Sequence, residues 1–150
     1  MNLQAERLIR ESWAALVPMR TRAAEQFYIR LFEIDPTARE LFAGRPMHVQ
    51  QEKFLHTVDM LVQMLDYPPQ IIEEFQALAK RHVGYGVLLA HYEPVGKALL
   101  WAMAHELGER WTPDVERAWT ELYTFIAGIM KRAAAPGNSG TQQNKTGRTD

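Results

Sequence analysis

Ile72-Glu73-Glu74-Phe75-Gln76-Ala77-Leu78-Ala79-Lys80-Arg81-His82-Val83-Gly84-Tyr85-Gly86 is the segment on which the architecture turns. Ile72, Phe75, Leu78, Ala79 and His82 recur at spacings of three and four, which predicts one face of an α-helix. Gly84 and Gly86 terminate it. His82 is therefore a polar residue carried at the end of an apolar stripe.

The flanking segments read the same way. Upstream, Phe54, Val58, Leu61, Val62 and Leu65 mark a long helix that follows the break Ala43-Gly44-Arg45-Pro46 and ends at Tyr67-Pro68-Pro69. Ala24, Phe27, Tyr28 and Leu31 mark an earlier helix ending at Asp35-Pro36. That dipeptide also starts a short helix, with Asp35 as N-cap and Pro36 in the first turn. Leu8, Ile9, Trp13, Leu16 and Val17 mark the first helix, which Pro18 closes. Downstream, Tyr92 to Leu107 reads as a mostly apolar and hence central helix. Thr112-Pro113-Asp114 caps the last one, which runs to about Ala135 with Val115, Trp119, Leu122, Tyr123, Ile126 and Ile129 facing inward. No run alternates apolar and polar residues, and no Asn-Gly or Asp-Gly hairpin turn occurs. The predicted fold class is all-α, with six or more helices.

Residues 1–135 form the predicted folded unit. Residues 136–150 contain no Val, Ile, Leu, Met or aromatic residue and read as a disordered polar tail. A chain of 150 residues accommodates one domain. Lys and Arg number 17 against 18 Asp and Glu, so the net charge of −1 gives no general attraction to nucleic acid or anionic lipid. There is no cysteine, which excludes disulfides, zinc–thiolate sites, iron–sulfur clusters and cysteine nucleophiles. The charged start Met1-Asn2-Leu3-Gln4-Ala5-Glu6-Arg7 does not read as a signal peptide. The longest uncharged apolar run, Ala98 to Ala104, is far short of a bilayer span, so no membrane partner and a cytoplasmic location are expected. Ser12 lacks a Gly-x-Ser-x-Gly context, and neither a Gly-rich phosphate loop nor a His-Glu-x-x-His motif occurs.

Three helices each set one polar residue on an apolar stripe: Tyr28, Gln50 (one turn before Phe54) and His82. A buried polar group left unsatisfied costs about 1–3 kcal/mol, against a total stability of about 5–15 kcal/mol for a domain. Each must therefore find a partner or face a pocket. Alone, each has an ordinary explanation. A single histidine on such a face is usually bonded to a backbone carbonyl, a tyrosine is a core aromatic, and a glutamine at a helix start is half-exposed. Together in one small domain they favour a shared pocket. His48, His56, His91 and His105 read as surface or structural histidines. The methionines Met60, Met64 and Met103 read as core filling.

The chain resembles the globin family over about residues 3–135. It is most similar to bacterial single-domain haemoglobins and to the haem domain of flavohaemoglobins, with some likeness to neuroglobin. The segments that carry the resemblance are Phe27-Tyr28-Ile29-Arg30-Leu31-Phe32, Pro36 through Leu41-Phe42, Arg81-His82-Val83-Gly84-Tyr85-Gly86-Val87, His91-Tyr92-Glu93-Pro94-Val95-Gly96 and Ala118-Trp119-Thr120-Glu121-Leu122-Tyr123. The resemblance implies a three-over-three helical sandwich around a pocket for haem b (iron protoporphyrin IX), with His82 as the proximal iron ligand. It implies Phe42 packing on the porphyrin, Tyr28 and Gln50 as distal donors, and Phe54 one turn beyond; Gln51 is the alternative register for Gln50. It places Lys53 and Arg81 near the propionates and Val87 and Tyr92 on the proximal wall.

The implied partners are dioxygen, carbon monoxide and nitric oxide. The implied activity is reversible gas binding at a five-coordinate iron rather than enzymatic turnover, with oxygen held tightly by the Tyr28 hydroxyl and the Gln50 amide. Two alternatives stand beside it: nitric oxide dioxygenation with a separate reductase, and a six-coordinate redox or sensor globin, for which His48 would have to swing in. Two departures from relatives bear on these. The distal-helix position that carries a second histidine in neuroglobin-like chains is Gln50, and Arg132-Ala133-Ala134 lacks the glutamate that flavohaemoglobins place beside the proximal histidine. No flavin and nicotinamide reductase domain is expected within this length.

Overall fold

The computed structural model describes residues 1–135; the polar segment 136–150, read above as a tail, lies outside the described residues. The described residues form six α-helices: α1 (Leu3–Leu16), α2 (Arg20–Ile34), α3 (Met47–Gln63), α4 (Pro68–Gly84), α5 (Tyr92–Leu107) and α6 (Pro113–Ala134). Short 3₁₀ segments cover Val17–Met19, Pro36–Phe42, Leu89–His91 and Gly108–Arg110. No strand occurs among the described residues.

The helix ends follow local chemistry. Asn2 caps α1 by accepting the Ala5 amide at 2.8 Å, and the Thr112 hydroxyl caps α6 by accepting the Val115 amide at 3.2 Å. Asp35 accepts the Thr37 amide at 3.1 Å, so the short helix expected after Pro36 forms as a 3₁₀ segment. Gly44 (φ 75°) and Gly86 (φ 92°) carry the left-handed backbone in the turns before α3 and after α4.

The helices sort into two layers, with α1, α3 and α4 over α2, α5 and α6. Helix α2 runs against α5 and α3, α4 rests on α6, and α1 also rests on α6. The principal core gathers Ile9, Leu16, Met103 and Trp119, all nearly inaccessible, with Val62, Phe75 and Leu122 around them. Burial of each such side chain contributes roughly 1.5–3 kcal/mol. The buried hydroxyl and indoles of this core find partners, while Arg30 Nε elsewhere is buried without one among the described residues. The Trp119 indole N–H donates to Ser12 Oγ at 2.9 Å, the Ser12 hydroxyl donates to the Leu8 carbonyl at 2.7 Å, and the Trp13 indole donates to Asp59 at 3.1 Å. Gly96 on α5 lets Tyr123 of α6 lie flat against it, and the Tyr123 hydroxyl donates to the Tyr92 carbonyl at 2.5 Å. Arg22, 65% exposed, reaches Glu106, whose side chain is only 4% exposed, at 2.7 Å.

One inward assignment is corrected. In α4 the residues turned to α6 are Ile71, Phe75 and Ala79, while Ile72 is 37% exposed. Ile71 and Ile72 lie four and three residues before Phe75, so either fits helical spacing. The continuous 71–75–79 ridge decides which one packs.

Candidate functional site

A second, smaller core cluster holds Phe27, Tyr28, Leu31, Ala38, Ala98 and Ala102, drawn from α2, the 3₁₀ segment and α5. It meets the principal core at Phe54 and Leu99, which pack against both. Along this seam Phe42, Phe54, Leu78, Val87, Val95 and Leu99 are each packed yet only partly covered. A fully closed core would hide such residues. The seam is an apolar surface left partly open.

His82 is half-buried near the end of α4, one turn after Leu78, which packs on the principal core. Its Nδ1 lies 3.0 Å from the Leu78 carbonyl one helical turn back. A carbonyl only accepts, so Nδ1 carries the proton and Nε2 is the basic nitrogen left free. Burial pushes the imidazole below its usual pKa; the Leu78 hydrogen bond opposes this and the Arg81 charge adds to it. The neutral ring results. His91 takes the other tautomer: its Nδ1 accepts the Leu88 amide at 2.8 Å, a structural role, and it is buried. His48, His56 and His105 are exposed, His105 being stacked on Trp101 at 4.9 Å. Among the described residues no group of three His, Asp or Glu side chains is placed to hold a metal ion by itself.

On the α2 side Tyr28 is 8% exposed and boxed by aromatic rings. Phe27 meets it edge-on at 4.9 Å, Phe42 at 5.4 Å, Phe54 at 6.1 Å and Phe32, tilted, at 6.2 Å. Its hydroxyl donates to the Gln50 backbone carbonyl at 3.3 Å, beyond the usual range for such a bond. Burial raises the phenol above its ordinary range, so Tyr28 keeps its proton. Gln50 and Gln51 are both half-buried at the start of α3; the carbonyl that meets Tyr28 belongs to Gln50. Lys53 and Arg81 are exposed and make no ion pair among the described residues. Tyr92 is buried at the start of α5, its carbonyl accepting the Tyr123 hydroxyl and its ring centroid lying 6.0 Å from Lys131 Nζ, and Val87 is half-buried just past α4.

The structure thus brings Tyr28, Phe42, Gln50 and Phe54 together through direct contacts, and places His82 and Val87 against the adjoining core. Two features had no reading in the sequence. Phe27 stacks face to face on Phe54 at 4.3 Å, with an interplanar angle of 5°. The Arg45 guanidinium lies 4.8 Å over the Tyr85 ring, tying the turn before α3 to the turn after α4. Both pairings join separate elements, and periodicity reports only faces of single helices. A polar surface groove of about 460 Å³ between Trp13, Arg20, Leu55 and Asp59 lies on another face of α3 and shares no residue with the seam.

Among the described residues no helix is long and apolar enough to cross a membrane. Residues 25–130 match the family described as Globin. The flavohemoprotein of Xylella fastidiosa (strain 9a5c) is 33% identical over 126 residues, covering 83% of this chain and 32% of its own length, so the chain spans about a third of that relative. The anaerobic nitrite reductase HBII of Casuarina glauca is 27% identical over 147 residues, covering 89% of this chain and 92% of its own. Among solved structures, an engineered carbene transferase from Rhodothermus marinus superposes with a TM-score of 0.79 at 25% identity, covering 89% of this chain and 93% of that one.

Proposed function

Because the chain belongs to the globin family, we propose that it holds haem b through the His82 imidazole and reversibly binds dioxygen and other diatomic gases, with Tyr28 and Gln50 as the donors that would meet the gas. The observation that carries this reading is the state of His82. Its Nδ1–H is committed to the Leu78 carbonyl, and the buried neutral ring leaves Nε2 as a ligand nitrogen. The donor set fits a haem: one neutral imidazole, one buried phenol, and apolar walls at Phe42, Phe54, Val87 and Tyr92. The exposed cations of Lys53 and Arg81, free of ion pairs among the described residues, suit the carboxylate edge of a porphyrin.

A bound haem would supply an iron centre able to hold a diatomic gas. The chain's own part is then electrostatic. Tyr28, like any phenol, carries its proton at neutral pH, and burial pushes its ionisation higher still, so it can donate to a ligand atom that gathers negative charge. Its aromatic box excludes water and holds the ring in place. Gln50 offers an amide from the adjoining helix.

Replacing His82 by Ala in the full chain tests this directly. The expected result is loss of haem on purification and of the Soret band, with partial recovery in free imidazole. An unaltered Soret band in His82→Ala overturns the assignment. The likeness to flavohemoproteins and to an anaerobic nitrite reductase favours a second reading, redox turnover of nitric oxide or nitrite at the same site with electrons from a separate reductase. Consumption of nitric oxide or nitrite by the haem-loaded chain with a supplied reductant separates the two.

A further inference from the structure

The Tyr28 hydroxyl has one protein partner among the described residues, and that bond is stretched. At 3.3 Å the contact with the Gln50 carbonyl lies outside the 2.5–3.0 Å range of a well-formed O–H···O bond, too weak to set the direction of a side chain. The hydroxyl oxygen also lies on the axis about which the ring turns, so its hydrogen bond does not fix the plane of the ring. What orients the ring is packing, and the tightest element of that packing is one residue away. Phe27 is 3% exposed and makes two contacts of different kinds. It meets Tyr28 edge to face at 4.9 Å and 74°, and it lies parallel to Phe54 at 4.3 Å and 5°. The edge-to-face contact is a favoured geometry for aromatic quadrupoles, and the parallel contact holds the two rings in close packing. Phe54 in turn presents its own edge to Tyr28 at 6.1 Å and 70°.

Phe27 therefore touches Tyr28 once directly and once through Phe54. We propose that Phe27 is the positioning residue of the gas site: its ring clamps Phe54 in one rotamer, and the pair fixes the plane of Tyr28 and the aim of its hydroxyl. This rests on the gas-binding reading for its functional consequence, while the clamp itself belongs to the polypeptide alone. Without the Phe27 ring, Phe54 loses its parallel partner and turns into the vacated space. Tyr28 then loses two of its four aromatic walls, and its hydroxyl samples several directions in place of one.

Two readouts test it. In the full chain without haem, carbon-labelled tyrosine is expected to show two resolved ε signals for Tyr28, the mark of slow ring rotation. In Phe27→Leu these merge into one, corresponding to ring rotation at least tenfold faster. Leu122→Ala, an equally buried change in α6, lowers stability but leaves the Tyr28 signals split. Phe27→Met serves if Phe27→Leu does not fold. In the haem-loaded chain, Phe27→Leu speeds oxygen release several-fold in the native background and adds nothing to Tyr28→Phe. One averaged signal in the native protein, two unmoved signals in the variant, or additive effects in the double variant each overturn the proposal. A chain that takes up no haem but shows the merging refutes the gas-binding reading and leaves the clamp standing.

Discussion

Tyr28→Phe removes one oxygen atom and separates two quantities that a structural tyrosine would lose together. In the folded protein without ligand the hydroxyl contributes little. A well-formed hydrogen bond contributes roughly 0.5–1.5 kcal/mol, and this one, at 3.3 Å, lies at or below the lower end. Against it stands the desolvation of a hydroxyl on a residue only 8% exposed, about 1–3 kcal/mol on mutational scales. On these figures removal of the hydroxyl lies between neutral and about 2.5 kcal/mol stabilising. The ligand side is different. A hydrogen bond to a charged acceptor contributes roughly 1.5–3 kcal/mol, and surrendering the stretched bond to Gln50 subtracts only a few tenths. At about 1.4 kcal/mol per decade this corresponds to a ten- to hundredfold faster release of oxygen. Stopped-flow displacement of oxygen by carbon monoxide on the haem-loaded chain measures the rate, and urea unfolding of the same variant measures stability. An unchanged release rate removes Tyr28 from the donor role. A stability loss above about 2 kcal/mol would show instead that its hydroxyl is a folding element.

Gly96→Ala places a Cβ 2.5 Å from Tyr123 Cε2, and the ring cannot retreat while its hydroxyl is held by the Tyr92 carbonyl. A loss of about 1–3 kcal/mol in urea unfolding is expected, and an unchanged midpoint would show that α5 and α6 slide apart freely. Ser12→Ala strands the indole N–H of Trp119 in the core and is expected to lower stability by roughly 1–3 kcal/mol, whereas Ser12→Thr retains most of it. Burial raises the phenols of Tyr28, Tyr92 and Tyr123. The unfolded chain therefore releases these protons first, and stability falls as pH climbs past the ordinary tyrosine value of about 10. Near-ultraviolet titration should find fewer than all five tyrosines ionised in the native protein at a pH where the unfolded protein has ionised every one.

Helix α5 was legible because its residues are mostly apolar, without a break from Ala98 to Ala104, and α6 because Val115, Trp119, Leu122 and Ile126 keep one phase throughout. The hydrogen bond of His82 was legible for a similar reason. His82 and Leu78 lie one turn apart on α4, so the hydrogen bond that sets the tautomer is local in the chain. Around Tyr28 the residues were legible but two of the contacts were not. Its acceptor is a backbone carbonyl of α3, which every residue type supplies, and its clamp joins Phe27 to Phe54 across two helices. Ile71 and Ile72 illustrate the same limit at smaller scale, since only the partner helix distinguishes them.

Position 22 shows how an outward-pointing residue acquires the constraints of the interior. The Arg22 guanidinium stands mostly in solvent, yet it is the counter-charge of the nearly hidden Glu106 carboxylate. A substitution there leaves an uncompensated charge behind the protein surface. In a saturation-mutagenesis map, residue 22 should group with the intolerant positions, whereas Arg20 and Thr21, equally open to water, should accept most replacements. Neutralising Glu106 to Gln alongside it should restore that tolerance.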